Sequence, residues 1–165
     1  MKVGLLSDTH GTFSDAFREF FKDVDVIWHA GDFGAGMDFI EDIRAFKPLV
    51  GVWGNCDSQD LRLEFPEMQV LQVQGLKILM THIGGSPGHY YPQARRLLDL
   101  HKPDVFICGH SHILKIMNDP SRGLLYINPG AAGMQGWHLK RTALRFSIED
   151  GRICDMELFE MNKTQ

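Results

Sequence analysis

Cysteine is scarce in this 165-residue sequence: Cys56, Cys108 and Cys154 stand far apart, with no CxxC pair among them. An odd count without paired spacing argues against a disulfide framework and for a reducing compartment. Long apolar runs are also missing. None approaches the roughly 20 residues needed to span a bilayer, and Met1-Lys2-Val3-Gly4-Leu5-Leu6 meets Ser7-Asp8 too early for a signal-peptide core. The expected location is cytoplasmic, with no membrane partner. Positive charge is in short supply, with 17 Lys and Arg against 21 Asp and Glu, a formal net charge of −4 and no basic block. Binding driven by neutralising a nucleic-acid backbone therefore has little support, and no nucleic acid is required. An acidic chain can still act on a phosphate when bound dications reverse the local field. Linkers, low-complexity runs and internal repeats are lacking too. Residues 1–165 read as one domain, long enough to bury about two-thirds of its unfolded surface.

What is present is a periodic apolar pattern and eight histidines, many for this length. Lys2 to Ser7 reads as a strand. Phe13, Phe17, Phe20, Phe21 and Val24 recur at helical spacing as a core stripe, with Ser14 as N-cap. Val24 to Trp28 reads as a second strand. Met37, Ile40, Ile43 and Phe46 form a second helix that Pro48 stops, and Leu49 to Trp53 a third strand. Val70 to Val73 and Lys77 to Met80 read as a hairpin around Gln74-Gly75. The Gly84 to Gly88 loop precedes a helix carrying Ala94, Leu97, Leu98 and His101. Buried strand Val105 to Cys108 is followed by strands Leu124 to Ile127, Thr142 to Ser147 and Ile153 to Phe159, the last two flanking the turn Glu149-Asp150-Gly151. Strand-helix alternation early and hairpins late predict an α/β protein with mixed sheets covered by helices.

Five of these strands end in groups that can bind metal: Asp8/His10, Asp32, Asn55, His82 and His110/His112. In α/β folds, sites collect beyond the carboxyl ends of strands. Neighbouring strands lie about 5 Å apart, so five such endings can share one small volume. Asp8-x-His10 and His110-x-His112 each place two donors on one side of an extended segment. Imidazole suits Mn, Fe, Zn, Co or Ni, carboxylate and amide oxygen extend the set toward harder ions, and a carboxylate such as Asp32 can bridge two ions. Gly11, Gly31, Gly54 and Gly109, beside these ligands, permit tight turns and close approach. Any one motif alone is commonplace; all five in order are hard to explain as loop chemistry.

The series Asp8-x-His10, Gly31-Asp32, Gly54-Asn55-Cys56-Asp57, His82 and Gly109-His110-x-His112 resembles the calcineurin-like metallophosphoesterase family over nearly the whole chain. Within it, the sequence is similar to the small single-domain phosphodiesterases of the YfcE type, which also carry Gly-Asn-Cys-Asp and a late Asn-Pro-Gly like Asn128-Pro129-Gly130. The resemblance implies a four-layer α/β/β/α sandwich of two mixed sheets flanked by helices. It implies that Asp8, His10 and His112 hold one divalent ion, that Asn55, His82 and His110 hold a second, and that Asp32 bridges them, with Mn expected and Zn, Fe or Ni as alternatives. Such a pair would clamp a phosphoryl group and activate the water between them for in-line attack. The expected substrate is a small phosphoester, most naturally a diester. A phosphomonoesterase, a nucleotide pyrophosphatase or a protein phosphatase stays open, as does a non-catalytic scaffold like the retromer subunit Vps29. By the same likeness a homodimer is expected.

The sequence also departs from the family. Many members carry a histidine, which protonates the leaving group, where Cys56 stands; Asp57 has lost that partner. A thiol, with a pKa of about 8.5, brings no positive charge to an alkoxide, so activated diesters are the expected preference. The bland reading of Cys56 is a small, half-buried filler. The small branch often has a second histidine where Gly84 stands, and His89 is the nearest substitute, though a solvent-exposed loop residue is the simpler reading. His29 reads as a packed residue behind the ligands, His138 as exposed, and Arg95 and Arg96 as a solvated helix face.

Overall fold

The computed structural model describes residues 1–163. In chain order its elements are β1 (Lys2–Leu6), α1 (Asp15–Phe20), β2 (Val26–His29), α2 (Met37–Phe46), β3 (Leu49–Gly51), α3 (Gln59–Glu64), β4 (Met68–Val73) and β5 (Leu76–Thr81). There follow β6 (Gly85–Ser86), β7 (His89–Tyr90), α4 (Pro92–His101), β8 (Val105–Ile107), β9 (Leu114–Asp119), β10 (Leu124–Pro129), β11 (Lys140–Glu149) and β12 (Arg152–Asn162). Two five-stranded sheets form, in the orders β12-β11-β1-β2-β3 and β4-β5-β8-β10-β9. Both are mixed. β1, β2 and β3 run parallel with β11 antiparallel to β1, and β5, β8 and β10 run parallel with β4 and β9 antiparallel at the edges.

Side-chain alternation builds the layers. Val3 and Leu5 of β1, Ile78 and Met80 of β5, Val105 and Ile107 of β8, and Leu144, Phe146 and Ile148 of β11 meet between the sheets with Trp28. The opposite faces carry the helices. Ile27 and Ala143 pack under Phe17, Phe21, Ile40, Ile43 and Leu61, while Leu79, Phe106 and Tyr126 pack under Ala94 and Leu98. These three apolar layers define an α/β/β/α sandwich, each fully buried aliphatic or aromatic side chain contributing about 1.5–3 kcal/mol. No helix among the described residues is long and apolar enough to cross a membrane.

Several local expectations shift. α1 stops at Phe20, short of Val24, and β2 starts only at Val26, because Asp25 instead turns the chain: its carboxylate accepts the Lys2 N–H at 2.7 Å. Three features escaped the sequence reading: α3, edge strand β9, and a two-residue ribbon, β6–β7, inside the expected Gly84 to Gly88 loop.

Candidate metal centre

The carboxyl ends of β1, β2, β3, β5 and β8 lie together, so the polar residues that follow them converge. Asp8, His10 and His112 offer ligand atoms within 4.8 Å of one another, as do Asp8, Asp32 and His82. Asp8 Oδ1 lies 3.2 Å from His112 Nε2 and 4.0 Å from His82 Nε2, while Asp32 Oδ2 lies 3.3 Å from His82 Nε2 and 3.9 Å from His10 Nε2. Asn55 Oδ1 approaches His82 Nε2 to 3.1 Å, and the His110 ring sits 5.3 Å from the His82 ring, edge to face. All seven side chains singled out in the sequence thus surround one volume. Asp8, Asp32 and His82 form its buried floor, and Asn55 and His110 its exposed rim.

Each floor residue is held by a second group. The Ala30 carbonyl accepts the His82 Nδ1–H at 2.7 Å, which turns Nε2 inward. Ser7 Oγ and the His110 N–H donate to Asp8 Oδ2 at 2.6 and 3.1 Å, and the Cys56 N–H donates to Asp32 Oδ1 at 2.8 Å. Asn55 Nδ2 donates to Cys56 Sγ at 3.3 Å, so its oxygen faces His82. Two of the glycines beside the ligands let ligand side chains pack closely. A Cβ on Gly31 would stand 2.6 Å from His82 Nδ1, and one on Gly54 would overlap Asp32.

The electrostatics suit a cation. Asp8 Oδ1 is buried without a hydrogen-bond partner among the described residues. His82 Nε2 faces three oxygens, of Asn55, Asp32 and Asp8, which one proton cannot satisfy together. Burial opposes the charge on Asp32, yet the His82 imidazole and Cys56 amide hold its carboxyl well below the usual range. Burial likewise opposes protonation of His82, but Asp32 and Asp8 raise its pKa above the ordinary value. Carboxylate, amide and imidazole donors thus crowd one volume that protons alone satisfy poorly. The residues fit divalent metal.

Cys56 is exposed rather than a half-buried filler, yet its sulfur lies within 4.8 Å of ligand atoms of His10 and Asp32. Partial desolvation, then the Asp32 carboxylate, push its thiol up to about 11. Asp57 has partners of another kind: its buried carboxylate accepts the Gly34 and Gly54 N–H groups at 3.0 and 2.8 Å, fixing the turn that presents Asn55. His29 is fully buried; its Nε2 bonds Thr9 Oγ1 at 2.9 Å and its Nδ1 accepts the Gly31 N–H at 3.1 Å. Burial keeps it neutral. His138, expected to be exposed, is half-buried 5.1 Å from the His112 ring, with Nε2–H donating to the Gly133 carbonyl at 3.1 Å. His89, Arg95 and Arg96 are exposed.

Ser7, Thr9 and Asn128 were not foreseen in these supporting roles. Asn128 Nδ2 donates to the Gly109 carbonyl and to Ser111 Oγ at 2.8 and 3.0 Å while its oxygen accepts the Gly130 N–H at 3.0 Å, clamping the turn that carries His110. The only sequence signals were a hydroxyl beside Asp8 and the Asn-Pro-Gly segment.

Residues 1–151 match the family model described as the calcineurin-like phosphoesterase superfamily domain. The chain belongs to this superfamily. A probable metallophosphoesterase of Methanothermobacter thermautotrophicus is 29% identical over 143 residues, covering 79% of this chain and 77% of the relative. A phosphodiesterase of Methanocaldococcus jannaschii is 26% identical over 147 residues, covering 79% and 83%. Among solved structures, Vps29 of Entamoeba histolytica, complexed with zinc, superimposes with a TM-score of 0.75 over 99% of each chain at 16% identity. That likeness is one of fold: a calcineurin-like sandwich is common to enzymes and to Vps29, so function must be argued from the centre itself.

Proposed function

We propose that this superfamily member is a metal-dependent phosphodiesterase, with Asp8, His10 and His112 holding one divalent ion, Asn55, His82 and His110 a second, and Asp32 shared between them. The unpartnered Asp8 Oδ1, buried against His112 and His82, carries this reading. Such ions, with Mn favoured, supply Lewis acidity toward phosphoryl oxygens and lower the pKa of a water. The chain's contribution is to hold the donors in place beforehand: Ala30 fixes His82, Ser7 and the His110 amide fix Asp8, and the Cys56 amide fixes Asp32. Such preorganised charge needs no rearrangement as the reaction proceeds.

The diester reading follows the phosphodiesterase relative of Methanocaldococcus jannaschii, and Cys56 sets which leaving groups suit it. A neutral thiol held up to about 11 gives an alkoxide little help, so substrates whose leaving group departs unaided are favoured. Metal analysis of the purified protein, followed by a panel of phosphomonoesters and phosphodiesters with Mn supplied, tests the assignment. Two ions per chain and turnover confined to diesters are expected, and Asp32→Ala or Asn55→Ala should abolish turnover. Full activity in either variant would sink the reading.

A protein-binding scaffold is the second reading, favoured by the fully exposed Trp137 and the 83% exposed Leu139 near His138. Tight binding of two ions without cleavage of any phosphoester would support it.

A further inference from the structure

Beside His110 the surface opens into a cleft of about 500 Å³, within the range of small-molecule sites. It runs from the Gly109-His110-Ser111 turn to the β6–β7 ribbon, with Tyr91, Ile113 and Lys115 also on its walls. The ribbon is fixed: Tyr126 Oη donates to the Gly85 carbonyl at 2.7 Å, Ser86 pairs with His89, and Gly84 lies so close to Cys108 that an added Cβ would stand 2.7 Å from Sγ. The cleft is therefore formed before any ligand arrives.

Its chemistry differs from the metal floor. Among the described residues no carboxylate lines it, although the chain as a whole carries −4. Lys115, half-buried, supplies a cation. Tyr91 and Ile113 are 50% and 64% exposed, apolar surface left in water on a wall that a ligand would cover. Ser111 Oγ accepts from both Asn128 Nδ2 and the Ile113 N–H, so its own hydrogen is left to donate where the cleft meets His110. Inorganic phosphate or a small alkyl phosphate at the centre would leave this cleft empty. An acyl chain would want a continuous apolar wall in place of Ser86, Ser111, His89 and Lys115. A flat ring bearing hydrogen-bonding atoms meets both halves. A further cavity of about 260 Å³ at Lys2, Asp23, Arg145 and Glu157 has no such fit, because it lies away from the centre and its Arg145 is already paired, Nη2 to Glu157 Oε2 at 2.7 Å.

Resting on the phosphodiesterase reading, we infer that this cleft binds the nucleoside portion of a nucleotidyl phosphodiester whose phosphate lies at the centre beside His110, the base stacking on Tyr91.

Two diesters with one leaving group test it: thymidine 5′-(4-nitrophenyl phosphate) and methyl 4-nitrophenyl phosphate, with Mn supplied. The kcat/KM ratio, thymidyl over methyl, is expected to be about 10 or more, and to fall about 10-fold in Tyr91→Ala, from the stacking that a base gains on an aromatic ring. Ile113→Ala, at an exposed position, should lower it in the same direction. Calorimetry with thymidine 5′-monophosphate reads binding separately and should show the same loss in Tyr91→Ala. Turnover of both diesters at equal kcat/KM, or a ratio and affinity that both variants leave unmoved, overturns the cleft assignment and leaves the phosphodiesterase reading standing. Turnover of neither diester overturns that reading, and the cleft assignment with it.

Discussion

Replacing Asp8 by Asn separates what the centre costs in stability from what it binds. Asp8 is fully buried, and its Oδ1 has no hydrogen-bond partner among the described residues. Without metal, Asp8 and Asp32 together face the single raised imidazole of His82. A buried polar group left unsatisfied costs about 1–3 kcal/mol, more when charged. The amide is isosteric. Its oxygen can take the place of Oδ2 and keep the Ser7 and His110 donors, while its NH2 points at His112 Nε2, 3.2 Å from the present Oδ1. In EDTA the variant should therefore be more stable by about 1–3 kcal/mol, or roughly 2–12 °C in Tm for a domain of this size. With Mn that advantage should shrink to nothing or reverse. An ion at 100 times its Kd stabilises wild type by about 2.7 kcal/mol, and the variant should lose most of that gain. Thermal unfolding by circular dichroism in EDTA and in MnCl2 measures both. A variant that melts below wild type in EDTA, or that responds to Mn as wild type does, refutes the reasoning.

Further outcomes follow from the same geometry. In Gly54→Ala the new methyl overlaps Asp32 Oδ1 and its backbone nitrogen, so Asp32 must move; a displacement near 1 Å should lower kcat about 100-fold, with metal content by mass spectrometry falling in parallel. Cys56→His should speed hydrolysis of alkyl diesters by about 10²-fold, the low end of general acid catalysis, and change 4-nitrophenyl diesters little; equal effects on both would remove Cys56 from the leaving-group slot. The His82 pKa is raised on folding, so its contribution to metal-free stability is full below about pH 6.5 and is lost as pH rises through the raised value. Urea midpoints in EDTA should fall across that window. Metal affinity should rise over it, because binding must displace the same proton.

Most of the fold was legible because its strands are apolar runs with polar stops. β1, β2, β3, β5 and β8 each end where an aliphatic series meets Asp, His or Gly-Asn, and the residues after those ends are the ones gathered at the centre. What escaped has a physical cause. α3 buries only Leu61 and shows no repeating apolar stripe. β9 is a largely exposed edge strand, so its side chains need not alternate cleanly. The β6–β7 ribbon is fixed by Tyr126, 41 residues from Gly85, and nothing local announces that bond. The Asn128 clamp on Gly109 and the hold of Asp57 on Gly34 likewise span 19 and 23 residues. Residue types declared the donors; the bonds that aim them are tertiary.

The backbone of the centre makes the same point more strongly. Asp8, His10, Asp32, His110 and His112 all have φ between 44° and 67°, the left-handed region. Asp and His tolerate it better than most residues, yet each still costs on the order of 1 kcal/mol, and five together approach a sizeable part of a domain's stability. Local preference cannot hold them there. Cross-ties between strand ends do: Asp8 N–H to the Gly31 carbonyl at 2.9 Å, His10 N–H to Asp32 at 3.1 Å, Gly109 N–H to His82 at 3.0 Å and Gly133 N–H to the Asp8 carbonyl at 2.9 Å. Each tie joins two of the segments that carry donors, or one of them to the loop after β10. The strain is therefore borne by the two sheets, which pack through Leu5, Trp28, Met80 and Ile107 directly beneath. A cation arriving at such a centre need not order the loops first, and the binding free energy that would have gone into ordering them is left for affinity.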